Sequence, residues 1–320
     1  MSNLKLNGNY LVTGGAGFIG SYLCEELLER NCQVLCVDNL ITGTEKNIEG
    51  FVKNPKFKFL KKDITENFDL AEKIDGIFHF ASLASPVDYQ KYPIETLRVG
   101  AVGTENILKL AVKNNCPILV ASTSEVYGDP KEHPQKETYW GNVSSIGVRS
   151  CYDESKRYLE ALTMAYHRQY QIKSRIVRIF NTYGPRMRAH DGRVVPNFCM
   201  QAIENKNITV YGNGTQTRSF CFVKDLVEGL FLLFQSDYVE PVNLGNPDEY
   251  TMLEFVKAIS EVSKKELQVE FVELPKDDPR QRKPDITLAK KLFNWQPKTT
   301  LQEGLSKTYA YFLSQEQKPS

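Results

Sequence analysis

Tyr152 and Lys156, in the run Tyr152-Asp153-Glu154-Ser155-Lys156, are four residues apart and share one face of a helix. From there the ammonium can hold the phenol near its phenolate and make it a base. Upstream, Thr123-Ser124-Glu125-Val126-Tyr127-Gly128 offers a hydroxyl and a carboxylate close together. The two segments can form a redox site that needs no metal. Alone, a Tyr-x-x-x-Lys spacing arises by chance in many surface helices, where it means a solvated lysine beside a half-buried ring. Its worth depends on what else the chain supplies.

A redox site needs an oxidant. Tyr10-Leu11-Val12 reads as a strand and runs into Thr13-Gly14-Gly15-Ala16-Gly17-Phe18-Ile19-Gly20, with glycines in G-x-x-G-x-x-G spacing, then a helix with Leu23, Leu27 and Leu28 as its apolar stripe. A phosphate needs close backbone approach and free N–H donors at a helix N-terminus, and Gly14, Gly17 and Gly20 supply both. The spacing departs from G-x-G-x-x-G, and a lone Gly-rich turn can be only a tight loop. Asp38 shifts the balance: it ends the second predicted strand, 18 residues after Gly20, where a carboxylate accepts hydrogen bonds from ribose hydroxyls. No arginine or lysine follows until Lys46, so a 2′-phosphate would meet Asp38 without a counter-charge, and NAD is preferred to NADP. Asp63, closing the third strand, suits either the adenine edge or a helix cap.

The elements that must position these groups alternate. Short β-rich runs at Tyr10–Val12, Gln33–Val37, Lys58–Leu60, Gly76–Phe80, Pro117–Ala121 and Ser174–Ile179 are separated by helical patterns, one of them from Thr96 to Asn114. That alternation predicts βαβ units and a doubly wound parallel sheet, an α/β fold. After the Asn181–Asp191 loop Gly and Pro content rises, so residues 1–185 are expected to bind NAD and 186–320 to form a smaller substrate lobe. Gln216–Val223 reads as a strand, Asp225–Phe234 as a helix, and Pro241–Gly245 as a strand that rejoins the first sheet. The polar tail after Leu313 is expected to fray.

Composition narrows the class. The 320 residues are 41% hydrophobic, and 40 Lys and Arg against 39 Asp and Glu give no electrostatic reason to expect nucleic acid or an anionic membrane. Any bound anion must be met by local arginines. No apolar run approaches the roughly 18 residues of a membrane span, and the start lacks the basic-then-apolar pattern of a signal peptide. Seven cysteines without CxxC spacing read as reduced thiols, which makes the cytoplasm the expected location. His79, His133, His167 and His190 show no ligand spacing, so no metal site is expected, and His79 reads as a satisfied core residue.

TGGAGFIG, ASTSEVYG, YDESK, RIFNTYGPRM and DGRVVPNF resemble the extended short-chain dehydrogenase/reductases that act on nucleotide sugars. Within them, STSEVYGDP, HPQ, YWGNV, the R-x-CYDE segment, GNGTQTRSF, VNLGNP and DDPRQRKPDI are similar to the UDP-glucuronate decarboxylase family. The resemblance runs from about Asn9 to Leu313. One departure is Leu83 in Ala81-Ser82-Leu83-Ala84-Ser85-Pro86, where the family commonly has ASPASP.

This resemblance implies a Rossmann-type fold and NAD-dependent loss of carbon dioxide from UDP-glucuronate through a 4-keto sugar, giving UDP-xylose. Oxidising C4 places a ketone β to the carboxylate, and the electrons released with carbon dioxide then collect as an enolate. The expected catalytic residues are Thr123, Glu125, Tyr152, Lys156 and Arg282, the last as the guanidinium fork for the substrate carboxylate. Cofactor contacts are expected from Gly14, Gly17, Phe18, Ile19, Gly20, Asp38, Asn39, Thr42, Asp63, Ile64, Phe80, Ala81, Ser82, Val99, Ala121, Tyr152 and Lys156. Substrate contacts are expected from Arg98, Asn106, Glu125, Asn181, Arg193, Asn197, Arg218 and Arg282. Arg186 and Arg188 are assigned to the nicotinamide side or a subunit contact. Related 4,6-dehydratases carry Asp-Glu where this chain has Ser124-Glu125, and a serine cannot act as general acid at neutral pH. A 4,6-dehydratase, a 4-epimerase and a non-catalytic nucleotide-sugar sensor are the alternatives. The helix of Tyr152 is expected to pair with its symmetry mate in a homodimer.

Overall fold

A computed structural model describes residues 6–273 and 281–316. Arg280 and residues 317–320 of the predicted tail lie outside the described residues. Strands β1 (Asn9–Thr13), β2 (Gln33–Asp38), β3 (Phe57–Lys61), β4 (Gly76–His79), β5 (Ile118–Thr123) and β6 (Ser174–Ile179) form one parallel sheet. Pro241–Leu244 completes its seven strands, paired with β6. Across the sheet the order is Pro241–Leu244, β6, β5, β4, β1, β2, β3.

Except for the edge strand β3, with exposed Lys58 and Lys61, the strands are largely buried on both faces, so they read as near-continuous apolar runs. Successive side chains point to opposite faces. Leu11 and Ile77 pack with Leu35, Leu108 and Val120 on one side. Their neighbours Val12 and Phe78 pack with Leu119, Val177 and Phe231 on the other. Helices α1 (Phe18–Glu29), α2 (Pro86–Lys91), α3 (Pro93–Arg98), α4 (Thr104–Asn114) and α5 (Ser150–Tyr170) fill the first part of the chain. From β1 the chain moves outward through β2 to β3, then crosses to β4 on the other side. That reversal opens a crevice beyond the C-terminal ends of β1 and β4, the place where doubly wound sheets bind ligands.

Two predicted elements are divided. The helix expected over Thr96–Asn114 is α3 and α4 joined by a π-helical turn, Val99–Gly103. Its glycines meet neighbours closely: a Cβ on Gly100 would lie 2.7 Å from Ser155 Cβ, and one on Gly103 would lie 2.9 Å from Ile64 Cδ1. The turn thus sits flush against α5, one residue from Lys156. The strand expected over Gln216–Val223 is Thr217–Ser219 and Cys221–Phe222, interrupted by buried Phe220. The two halves serve different partners. Thr217–Ser219 lies between Glu249–Thr251 and Gln281–Arg282, whereas Cys221–Phe222 pairs with Thr182–Tyr183. Helices α6 (Val194–Ile203) and α7 (Val223–Gln235) pack these strands into the core shared with α1.

Candidate active site

One cavity of about 980 Å³ runs from the Gly-rich turn along the C-terminal strand ends to Arg282. At one end β1 enters the turn with Gly14 at φ +70°, where a Cβ would lie 2.8 Å from the Ala81 nitrogen and the Phe80 oxygen. A Cβ on Gly20 would lie 2.1 Å from the Gly14 oxygen, so helix and turn meet backbone to backbone. Gly17 caps α1 with no side-chain hydrogen bond, and the first turn carries no acid. The helix therefore presents unshielded N–H groups to the cavity, as an anion requires.

Asp38 lies beside that turn. Its carboxylate accepts from the Ala16 N–H at 3.1 Å and the Leu40 N–H at 2.9 Å. Burial pushes its pKa up, against the pull of the Leu40, Ala16 and Gly17 backbone donors. Asp63 accepts from Asn39 Nδ2 at 2.9 Å and from Thr65 N and Oγ1 at 2.8 and 2.7 Å. Burial raises its pKa, but the Thr65 and Asn39 hydrogen bonds and the charge of Arg98 hold it below the usual range. The cradle a Cβ would fill, the helix N-terminus and the two carboxylates at the ends of β2 and β3 fit a dinucleotide. His79 is a core residue: its ring bonds Thr13 Oγ1 at 2.7 Å and Thr104 Oγ1 at 3.1 Å, and burial draws its pKa down to about 3.

Farther along, β5 ends at Thr123 and turns sharply into Ser124–Tyr127. Thr123 Oγ1 accepts from the Glu125 N–H at 3.3 Å, and the Thr123 hydroxyl lies near enough to the Tyr152 phenol to lower its pKa. The Tyr152 ring stacks on Tyr89 with centroids 5.1 Å apart and planes 8° from parallel. Lys156, one helical turn on, donates to the Ala121 oxygen at 2.7 Å, with its nitrogen 5.8 Å from the Tyr152 ring centroid. Burial draws the Lys156 pKa down to about 7, opposed by Glu160. Burial also pushes the Tyr152 phenol well above its ordinary value, with Thr123 opposing and Glu125 and Asp153 reinforcing. The phenol is thus neutral here, and its conversion to a base needs positive charge beyond what Lys156 provides at this distance.

Glu125 sits between two cations. Its Oε2 accepts from Arg149 Nη2 at 2.7 Å and Arg282 Nη2 at 3.1 Å, while Arg282 Nη1 donates to the Ser124 oxygen. Burial alone would raise the Glu125 pKa, but Arg282 and Arg149 outweigh it and hold the carboxylate ionised. Asp153, beside Tyr152, is raised to about 7 by burial and by Glu125, and its Oδ1 is buried without a hydrogen-bond partner among the described residues.

The expected residues separate into groups. Gly14, Gly17, Phe18, Ile19, Gly20, Asp38, Asn39, Thr42, Asp63, Ile64, Phe80, Ala81, Ser82, Val99 and Ala121 line the cavity, as do Thr123, Glu125, Tyr152, Lys156, Asn181, Arg193, Asn197, Arg218 and Arg282. Arg193 forks onto Asp191, with Nε to Oδ2 at 2.8 Å. Arg218 and Arg282 are register partners on adjacent strands. Arg98 lines the cavity, and its charge helps hold the pKa of Asp63, just past β3, below the usual range. Asn106 is not among the lining residues: its Nδ2 donates to the Ile64 and Glu66 oxygens at 2.8 and 2.9 Å and fixes the loop after β3. Arg186 bonds Glu25 at 2.7 Å and lies over the Tyr22 ring, and Arg188 pairs with Asp88. Sequence reasoning missed Arg149 and Tyr89. Arg149 stands three residues before Tyr152, a spacing that places both on one helix face, so its signal was available. Tyr89 gave none, since only tertiary packing stacks it on Tyr152.

A family model described as GDP-mannose 4,6 dehydratase matches residues 11–308. UDP-glucuronic acid decarboxylase 6 of Arabidopsis thaliana is 51% identical over 95% of this chain and 87% of its own length. A UDP-glucuronic acid 4-epimerase from Bacillus cereus, solved in complex with UDP-glucuronic acid and NAD, superposes with TM-score 0.85 at 29% identity, covering 96% of this chain and 99% of that one. A UDP-glucose 4-epimerase from Thermotoga maritima, solved with UDP-glucose, gives TM-score 0.89 at 27% identity, covering 97% and 100%.

Proposed function

The chain belongs to the family described as GDP-mannose 4,6 dehydratase, and we propose that within it this protein is an NAD-dependent carboxy-lyase that converts UDP-glucuronate to UDP-xylose and carbon dioxide. The observation that carries this reading is the Thr123-Ser124-Glu125 segment beside Tyr152. Expelling a hydroxyl as water needs a general acid there, but Ser124 is not one and Glu125 is held ionised between Arg149 and Arg282. Asp153 retains its proton to higher pH but does not line the cavity. The half-identical decarboxylases support the same choice.

The Gly14–Gly20 turn, Asp38 and Asp63 would hold NAD, which when bound supplies an acceptor and later a donor of hydride, together with positive charge near the phenol. Tyr152 takes the proton of the sugar's C4 hydroxyl and later returns it. Thr123, beside that phenol, directs its own hydroxyl at the same atom. Lys156 adds charge from beneath the ring and, through Ala121, ties the helix to the end of β5. Arg282 recognises the substrate carboxylate, and Arg149 keeps Glu125 compensated when it does so. Once a ketone stands at C4, the bond to the carboxylate breaks and C5 is reprotonated. Arg193, Asn197 and Arg218 serve the diphosphate from the smaller lobe of residues 186–320, whose strand Pro241–Leu244 returns to the first sheet, and Asn181, near the end of the NAD-binding residues 1–185, serves the sugar.

We assign the protein to the cytoplasm as a homodimer. Its seven free, buried cysteines suit a reducing compartment, and among the described residues no helix is long and apolar enough to cross a membrane. On α5, Tyr158, Leu162 and Ala165 repeat at i, i+4, i+7, incompletely covered, beside exposed Ile94 and Leu97 of α3. That stripe supports pairing through α5. Incubation with UDP-glucuronate and NAD, followed by product mass, tests the reaction. Loss of one carbon dioxide is expected. An unchanged mass means epimerisation, a loss of water means dehydration, and no turnover refutes the assignment.

A further inference from the structure

Arg282 reaches Glu125 and the Ser124 oxygen from Gln281–Arg282, a strand of two residues. Such a strand cannot fix a long side chain alone. On one flank it pairs with Thr217–Ser219, and Ser219 Oγ donates to the Arg282 oxygen at 3.3 Å. On the other stands Gln135, fully buried and far away in sequence. Its backbone N–H donates to the Lys283 oxygen at 2.9 Å, and its Oε1 accepts from the Lys283 N–H at 2.9 Å. Its backbone oxygen accepts from the Asp285 N–H at 2.8 Å and from Asn243 Nδ2 at 3.0 Å. Its Nε2 donates to the Glu132 oxygen at 2.7 Å.

Every polar atom of Gln135 is therefore used, and both backbone groups of the residue after Arg282 are bound to it. The side chain itself lies outside the cavity lining. An amide is the side chain this place requires. The Lys283 N–H needs an acceptor and the Glu132 oxygen a donor, both in part-buried bonds to the fully buried Gln135 side chain, and a carboxylate or hydrocarbon leaves at least one unpaired.

We infer that Gln135 is a positioning residue for Arg282: it sets the strap on which that guanidinium is carried and thereby the preference for a carboxylated sugar. This rests on the reading of Arg282 as the carboxylate fork. A displacement of about 1 Å is enough to spoil such a fork.

The test compares the wild type, Gln135→Met, Arg282→Gln and the double variant, measuring KM for UDP-glucuronate and the inhibition constant of UDP. Gln135→Met should raise KM about tenfold, with UDP inhibition and NAD occupancy nearly unchanged. The double variant should be no worse in KM than Arg282→Gln alone, since both act through one guanidinium. Effects of Gln135→Met and Arg282→Gln that multiply, or equal weakening of UDP and UDP-glucuronate by Gln135→Met, overturn the inference. If Arg282→Gln itself leaves the preference for UDP-glucuronate intact, the carboxylate reading fails instead, whatever Gln135 does. Gln135→Glu, which keeps the chain length and the Lys283 acceptor, covers the case in which the Met variant does not fold. Retention of more than half the UDP-glucuronate preference supports positioning through Lys283, and complete loss overturns it.

Discussion

Replacing Lys156 with Met should make the dinucleotide-free protein more stable at low pH while abolishing turnover, and the size of the gain can be worked out. The amine is buried at the base of the site, and burial draws its pKa from 10.5 to about 7. In the unfolded chain it holds its proton up to the ordinary lysine range, whereas in the folded chain it releases it near neutrality. Between those values the unfolded state binds more protons, so wild-type stability rises with pH across that window. Below it, both states are charged and the folded state carries the whole desolvation cost, about 5 kcal/mol for a shift of roughly 3.5 units. At pH 9 the remaining cost is about 2 kcal/mol. Methionine removes this charge but leaves the Ala121 oxygen without the 2.7 Å hydrogen bond, a loss of about 1–3 kcal/mol that does not vary with pH. The stability difference between variant and wild type should therefore favour the variant by about 3 kcal/mol more at pH 6 than at pH 9. Urea unfolding of both proteins at the two pH values, after removal of bound dinucleotide, measures it. A difference that stays constant would refute a depressed ammonium at Lys156.

Tyr152→Phe should lower kcat by about 10²–10⁴-fold while UDP and NAD still bind, because phenylalanine keeps the stack on Tyr89; turnover near wild type would reject the assigned base. Asp153→Asn should stabilise the protein above neutral pH and have no ionisation effect below the ordinary carboxyl range. The folded acid keeps its proton up to about 7, so its stabilising contribution is present at low pH and is lost as pH rises through that value. The gain at pH 8 is on the order of 2–4 kcal/mol, read from the pH dependence of thermal unfolding, and identical curves for both proteins would count against a buried protonated Asp153.

Local chemistry made the first half of the fold legible. An apolar run, a glycine turn, an amphipathic helix and a strand-end aspartate are contiguous in sequence, and close backbone approach at Gly14 and Gly20 is what such a turn requires. The strand Ser174–Ile179 was readable to the residue from its short β-branched apolar run. The Thr96–Asn114 helix was not divided correctly, since its π-helical turn packs Gly100 against Ser155, a residue far along the chain that no local signal points to. Asn106 showed the same limit: an exposed-looking helical amide could be given to a ligand, but the fold gives it to the backbone oxygens after β3.

The sequence by itself determined the types of groups available: a tyrosine and lysine one turn apart, a threonine and glutamate at a strand end, a phosphate turn and an arginine remote from all of them. Those follow from spacing along one helix or one strand, where geometry is fixed by the backbone repeat. Only the tertiary structure decided their electrical states. Burial of Lys156, Tyr152 and Asp153 displaces each pKa away from its ordinary value, and Glu125 escapes that fate because Arg149 and Arg282 converge on it from different elements. Desolvation and charge pairing depend on what folds over a residue, and for Glu125 one of the two cations comes from a strand more than 150 positions away in the chain, at Arg282.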